Sequence, residues 1–127
     1  MKLTQRDVDR LKGVHPDLVK LVKAVSDMLL GPMTFMVIEG LRTAERQREL
    51  VKAGKSQTQN SRHLTGHAVD LGVLIDGKLT WDFKVYKTIA DIVKAHAARL
   101  GVPIVWGGDW KTLKDGPHFE LDRKVYP

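Results

Sequence analysis

Apolar side chains recur at helical spacing in two stretches near the amino terminus, and we expect a helix in each. The first stretch follows Thr4, which forms a capping-box pattern with Asp7, and it ends near Gly13. The second opens at His15-Pro16-Asp17, where a proline costs no helical hydrogen bond, and it stops at Gly31-Pro32. Its predicted buried stripe consists of Leu18, Leu21, Val22, Val25, Met28 and Leu29.

Two further helices are predicted later in the chain. Thr43 is placed to cap a helix over residues 44–53, which Gly54 would end. A longer helix over residues 81–100 has its apolar side chains on one face, and Gly101 is placed to end it.

Runs of β-branched and aromatic residues predict short strands between these helices. The predicted strands cover residues 33–38, 67–75, 78–80, 103–106 and 118–121. Asp76-Gly77 predicts a two-residue hairpin turn, and the polar residues 55–62 predict a loop. Mixed helices and strands with a hairpin indicate an α+β fold with a small, mainly antiparallel sheet and flanking helices.

Composition limits the kind of protein and the kind of site. The 127 residues suffice for one domain with a hydrophobic core, so residues 1–127 are treated as a single domain. Because there is no cysteine, disulfides, thiolate metal sites and thiol nucleophiles are excluded, and any metal must be held by nitrogen and oxygen. The net charge of +6 favours a polyanionic partner, although the basic residues are too dispersed for a nucleic-acid arm.

Histidine and carboxylate side chains concentrate in two segments that are far apart in the sequence. His63, Asp70 and His118 form a three-ligand set of the kind that holds a catalytic zinc ion with one position open. Asp115, three residues before His118, would place a carboxylate base nearby. The alternative is that these are ordinary surface or core side chains, and spacing alone leaves it open.

His67 lies four residues after His63, as in a helical zinc motif, but the segment lacks the glutamate of that motif and contains Gly66. We therefore expect a turn at Gly66 that lets His63 and Asp70 reach one ion. Because side chains alternate between the faces of a strand, His67 is expected at the rim, opposite Asp70.

The pattern S-x-H-x-x-G-x-A-x-D over residues 61–70, followed by D-x-x-H over residues 115–118, resembles the zinc peptidases that cut bacterial cell-wall peptides. This group includes D-alanyl-D-alanine carboxypeptidases and dipeptidases and the phage L-alanyl-D-glutamate endopeptidases. The resemblance extends over residues 34–121, with residues 39–43 and 106–110 also in family positions.

The resemblance implies that His63, Asp70 and His118 bind one Zn²⁺ ion. It also implies that Asp115 is the general base that takes a proton from the water activated by the metal. Many carboxypeptidases of the group have glutamate at this position, so an aspartate is more similar to the phage endopeptidase branch.

Five further side chains are candidates for the site. Arg42 could stabilise an oxyanion or bind a substrate carboxylate, although an arginine at a strand end is more often simply exposed. Ser61 could hydrogen-bond the substrate or orient its loop, and Trp110 is expected to form a wall of the cleft. Asp109 and Glu120 are candidates for hydrogen bonds to a ligand imidazole, and a lysine partner is the alternative for Glu120.

The resemblance implies an endolysin that cuts the L-alanyl-D-glutamate bond of the peptidoglycan stem peptide. Its amino terminus lacks a secretory apolar run, so we expect a protein made in the host cytoplasm that acts on the wall after release. We also expect a monomer without stable membrane insertion. No nucleic-acid partner is expected. One alternative is a D-alanyl-D-alanine carboxypeptidase or dipeptidase with the same zinc site. Another is a metal-free module whose salt-sensitive binding to an anionic polymer would survive loss of His63, Asp70 and His118.

Overall fold

The computed structural model of the chain describes residues 1–54 and 61–127. These two ranges contain four α-helices and five β-strands, together with two short 3₁₀ turns at Arg62–Thr65 and Gly107–Asp109. The helices are α1 (Gln5–Arg10), α2 (Pro16–Met28), α3 (Ala44–Lys52) and α4 (Phe83–Leu100). The strands are β1 (Met33–Glu39), β2 (Ala68–Ile75), β3 (Lys78–Leu79), β4 (Ile104–Trp106) and β5 (His118–Leu121).

The strands form one sheet with the order β1-β2-β5-β4, and β3 pairs with the end of β2. Every neighbouring pair is antiparallel, which confirms the predicted α+β class and sheet type. The register places Asp70 of β2 directly opposite His118 of β5. On its other side Asp70 pairs with Glu39, just past an irregularity in β1. Glu39, Asp70 and His118 are therefore neighbours on three adjacent strands of the sheet.

The hydrophobic core lies between α2, α4 and the sheet. The predicted stripe of α2 is buried in its first part, but Met28 is 61% exposed because the helix ends there. The prediction for Met28 was therefore wrong, whereas Leu29 is buried just beyond the helix. The main buried side chains of this core are Leu18, Leu21, Val22, Val25, Phe35, Val37, Leu71, Val73, Ile89, Val93 and Phe119.

Capping side chains set the ends of several elements. The predicted capping box of Thr4 and Asp7 is confirmed. Helix α4 begins at Phe83, later than predicted, because the side chain of Asp82 caps it by accepting a hydrogen bond from the Lys84 N–H.

The loops and turns agree with prediction where they are described. Asp76 and Gly77 form the predicted hairpin turn, with φ values of +50° and +79°. Most of the predicted polar loop, residues 55–60, lies outside the described residues. No helix within residues 1–54 and 61–127 combines the length and the apolar character that crossing a bilayer requires.

The predicted turn at Gly66 joins the amino-terminal segment to β2. Gly66 has a φ of +73° and ends the first 3₁₀ turn. Its carbonyl oxygen accepts a hydrogen bond from the His15 N–H at 2.8 Å. A Cβ atom on Gly66 would lie 2.2 Å from the Gly13 carbonyl oxygen, so two backbone segments pack here without room for a side chain.

We expect Gly66→Ala to destabilise the fold by about 3 kcal/mol or more, because left-handed backbone strain adds to the clash with Gly13. Gly101→Ala is the matched control: its φ is +70° and nothing lies within 4 Å of its Cβ position. This control should cost only about 1 kcal/mol. Urea unfolding measures both losses, and equal losses would show that the close approach at Gly66 contributes nothing.

Candidate metal centre

Three elements bring the predicted ligands together. His63 lies in the first 3₁₀ turn, Asp70 in β2 and His118 at the start of β5. One potential ligand atom from each side chain lies within 4.8 Å of the other two, which is close enough for a single ion. The two histidines are only 1% and 6% exposed, so their surroundings determine how the rings are oriented.

A backbone carbonyl fixes the ring of His63. Its Nδ1 donates a hydrogen bond to the Gly40 carbonyl oxygen at 2.8 Å. In the neutral ring, Nε2 then carries the lone pair, and it lies 3.2 Å from Asp70 Oδ1. Gly40 is itself constrained, because a Cβ atom there would lie 2.2 Å from the Arg10 carbonyl oxygen.

The ring of His118 is fixed the opposite way round. Its Nε2 donates a hydrogen bond to Glu120 Oε1 at 2.9 Å, so Nδ1 faces Asp70 Oδ1 at 3.1 Å. Glu120 thus makes the hydrogen bond to an imidazole that was predicted for it. The two histidines present different nitrogens to the same carboxylate. The other nitrogen of each ring is fixed by a hydrogen bond, to the Gly40 carbonyl or to Glu120.

The charges at the centre keep Asp70 ionised. Burial alone would raise the pKa of Asp70, but hydrogen bonds with His118 and His63 hold it well below its usual range. Burial likewise opposes the charged form of His118, yet Asp70 and Glu120 together raise the pKa of His118 to about 9. Once His118 has lost its proton, the ionised carboxylate and the two imidazoles form a donor set that fits a divalent cation such as Zn²⁺.

Asp115 lies beside this cluster, in the segment that leads into β5. Its N–H donates a hydrogen bond to the Gly107 carbonyl oxygen at 3.0 Å, and its side chain lines the same cavity of about 750 Å³ as the three predicted ligands. Burial and the negative charge of Asp70 raise the pKa of Asp115, although His118, His63 and Arg42 oppose them. Asp115 is therefore a stronger base than an ordinary aspartate.

Arg42 is not an exposed strand-end arginine, since its side chain is only 9% exposed. Glu39 accepts hydrogen bonds from Nε and Nη2, both at 2.7 Å, and Gln47 accepts one from Nη1 at 2.6 Å. The guanidinium lies near the cluster, with Nη2 3.8 Å from Asp70 Oδ2 and Nη1 3.5 Å from Ser61 Oγ. Burial opposes the charge of Arg42, but Glu39 and then Asp70 raise its pKa.

Ser61 and Trp110 also line the cavity. Ser61 Oγ accepts a hydrogen bond from the His63 N–H at 3.2 Å, so it orients the turn that carries this histidine. The ring centroid of Trp110 lies 5.0 Å from that of His118, next to the predicted ligands. Both side chains are thus placed where a bound substrate could contact them.

Two other polar side chains lie outside the cluster. The hydrogen bond expected between Asp109 and a ligand imidazole is not formed in the described part of the chain. Asp109 is exposed and binds Lys94 Nζ at 2.6 Å instead, because the imidazoles already have closer partners. His67, which was expected at the rim, is not among the described residues that line the cavity. Its Nδ1 forms a hydrogen bond with Thr65 Oγ1, and its ring centroid lies 5.7 Å from that of His15.

Sequence reasoning assigned no role to Glu39, Gln47 or the Gly40 carbonyl. The opposite charges of Glu39 and Arg42, three residues apart, are a signal that could have indicated their ion pair. Gln47 is completely buried on the otherwise polar helix α3, and no pattern in the sequence distinguishes it. The Gly40 carbonyl is a backbone group, so residue type alone does not reveal that it holds His63.

Three comparisons relate the chain to known proteins. Residues 1–126 match the family model described as phage L-alanyl-D-glutamate peptidase. The L-alanyl-D-glutamate peptidase of Escherichia phage T5 is 27% identical over 129 residues, covering 98% of this chain and 92% of that protein. The peptidoglycan L-alanyl-D-glutamate endopeptidase CwlK of Bacillus subtilis (strain 168) is 30% identical and covers 85% of this chain and 75% of that protein.

A solved structure shows that the fold is shared as well. The crystal structure of Serratia marcescens L-Ala D-Glu endopeptidase ChiX is similar with a TM-score of 0.90 and 49% sequence identity. The similarity covers 100% of this chain and 94% of that chain, so it includes every element around the cluster.

We expect His63→Ala to weaken the binding of one Zn²⁺ ion by more than about 100-fold, because it removes a ligand rather than a supporting side chain. His67→Ala is the matched control, since it removes an imidazole four residues away that lies outside the cluster. Competition with a chromophoric chelator measures both affinities. Equal affinities in the two variants would contradict the assignment of His63 as a ligand.

Proposed function

The chain belongs to the phage L-alanyl-D-glutamate peptidase family, and we propose that it is a zinc-dependent endolysin that hydrolyses the L-alanyl-D-glutamate bond of the peptidoglycan stem peptide. Cutting this bond weakens the cell wall and lyses the bacterium. The proposal treats residues 1–127 as one catalytic domain. It also treats the protein as a monomer, because one chain supplies every residue of the candidate centre.

The cluster of His63, Asp70 and His118 is the observation that carries the proposal. Structural zinc sites are usually closed by four protein ligands, whereas catalytic sites have three and leave a position open. Here three donors line a cavity that also contains Asp115 and Arg42. A metal held in this way would face the space in which a peptide could bind.

Zinc at this position would supply Lewis acidity, which polarises a carbonyl group and makes water a stronger acid. We assign the proton transfers to Asp115. Its carboxylate takes a proton from the attacking water and gives it to the amine of the leaving D-glutamate, so the peptide bond is replaced by a carboxylate and a free amine. Partial burial and the charge of Asp70 suit Asp115 to this task, because they raise its pKa.

Arg42 is proposed to stabilise the negative charge that develops on the scissile carbonyl oxygen. Its hydrogen bonds to Glu39 and Gln47 fix the guanidinium before substrate arrives, which is the condition for effective electrostatic stabilisation. Ser61 and Trp110 are proposed to contact the peptide as well. Ser61 lies beside Arg42, and Trp110 lies beside His118.

Digestion of purified peptidoglycan, with products identified by mass spectrometry, tests the reaction. We expect fragments cut after L-alanine, and we expect a chelator to abolish their release until zinc is restored. Release of D-alanine would instead identify a D-alanyl-D-alanine carboxypeptidase or dipeptidase. Binding without any cleavage in the presence of zinc would favour a non-catalytic wall-binding module.

We expect Asp115→Asn to reduce the rate of hydrolysis by about 10²- to 10⁴-fold while zinc binding is retained, because the amide cannot accept the proton. Asp91→Asn is the control, since this exposed carboxylate on α4 pairs only with Lys87 among the described residues. Steady-state kinetics and zinc titration of both variants measure the two effects. Hydrolysis by Asp115→Asn at the parental rate would remove Asp115 from the role of base.

A further inference from the structure

Besides Lys111, which follows Trp110 in the sequence, the cavity carries two cations that the proposed mechanism does not use. Arg62 and Arg123 line it together with Glu120. Glu120 binds Nε2 of His118, whereas Asp70 faces Nδ1, so this cationic end lies on the far side of His118 from the proposed metal. Arg62, Arg123 and the carboxylate of Glu120 together form this cationic end of the cavity.

Arg62 is held by the backbone rather than by an acid. Its Nη2 donates hydrogen bonds to the carbonyl oxygens of Tyr126 and Leu121. Its Nε is buried and has no hydrogen-bond partner among the described residues. Within residues 1–54 and 61–127, no carboxylate forms an ion pair with it within 4.0 Å. Burial and the positive charge of Arg123 lower the pKa of Arg62, as expected for two cations that lie close together.

Arg123 has more freedom than Arg62. Its side chain is 62% exposed, and its Nε lies 3.6 Å from Oε2 of Glu120. The other oxygen of Glu120 already accepts the hydrogen bond from His118. Of the two guanidinium groups, Glu120 therefore pairs only with that of Arg123 among the described contacts, and the cationic end keeps an excess positive charge that favours an anionic ligand.

The chemistry of the proposed substrate supplies such an anion. A glutamate residue has one amino group and two carboxyl groups. The L-alanyl-D-glutamate bond uses the amino group, and one carboxyl group continues the peptide, so the other remains free and ionised at neutral pH. Arginine recognises carboxylates through paired, charge-assisted hydrogen bonds.

We propose that Arg123, supported by the charge of Arg62, binds a free carboxylate of the peptide on the leaving-group side of the scissile bond. The inference rests on the proposed function and adds a specificity-determining residue to it. The carboxylate belongs either to the D-glutamate itself or to a residue farther along the leaving fragment. Arg123 makes the contact because its side chain reaches solvent, whereas the backbone fixes Arg62.

Two matched pairs of synthetic peptides test this assignment. In the first pair, the free carboxylate of D-glutamate is either present or replaced by a carboxamide. In the second pair, the carboxyl terminus is either free or amidated. KM and kcat are measured for the wild type, Arg123→Gln, Arg123→Lys and Lys124→Gln. The last variant is the control, because it removes the same charge from the exposed neighbouring residue, which does not line the cavity.

For the pair that carries the recognised carboxylate, Arg123→Gln should raise KM of the charged peptide about fivefold and leave kcat nearly unchanged. The amidated peptide should show no such increase. Arg123→Lys should recover part of the preference, and Lys124→Gln should behave like the wild type. The pair that shows the effect identifies which carboxylate is bound.

Equal losses on charged and amidated peptides would overturn the proposal, because Arg123 would then act through Glu120 and His118. An unchanged preference in Arg123→Gln would overturn it as well. Calorimetric binding of the same peptides to Asp115→Asn, with and without Arg123→Gln, gives the charge preference in the absence of cleavage. If the wild type cleaves no peptide, the proposed function fails, while the calorimetric preference still decides the role of Arg123.

Discussion

The burial of one carboxylate between two imidazoles is the constraint on which the rest of the structure depends. Asp70 stays ionised although it is partly buried, because His63 and His118 lie against it. Each imidazole must in turn satisfy its second nitrogen, which the Gly40 carbonyl and Glu120 do. The antiparallel pairing of β2 with β5 fixes Asp70 and His118, and the turn before β2 fixes His63.

Close backbone approaches make this arrangement rigid. A Cβ atom at Gly40 or Gly66 would overlap a backbone carbonyl, and one at Gly107 would lie 2.4 Å from the Asp115 carbonyl oxygen. Glycines therefore allow three separate segments to pack around the centre, including the segment that presents Asp115. The amino-terminal helix contributes too, because the carboxylate that caps it, Asp7, also accepts a hydrogen bond from the Val37 N–H of β1.

Much of this arrangement follows from local sequence patterns. Periodicity and capping residues predicted the helices and strands, and the alternation of strand residues placed His67 away from Asp70. The supporting contacts were harder to predict because they are made by backbone groups or across distant segments. Asp109 seemed as well placed as Glu120, but only Glu120 shares a strand with His118 and reaches its ring.

The hairpin between β2 and β3 lies well away from this centre. Its exposed turn residues, Asp76 and Gly77, come at least six positions after Asp70, which corresponds to roughly 20 Å along a strand. Exposed loop tips of this kind tolerate inserted sequence better than paired strands do. A wall-binding peptide or small module could therefore be grafted into this turn, so that the same scaffold is directed to a different cell envelope while its cavity is left untouched.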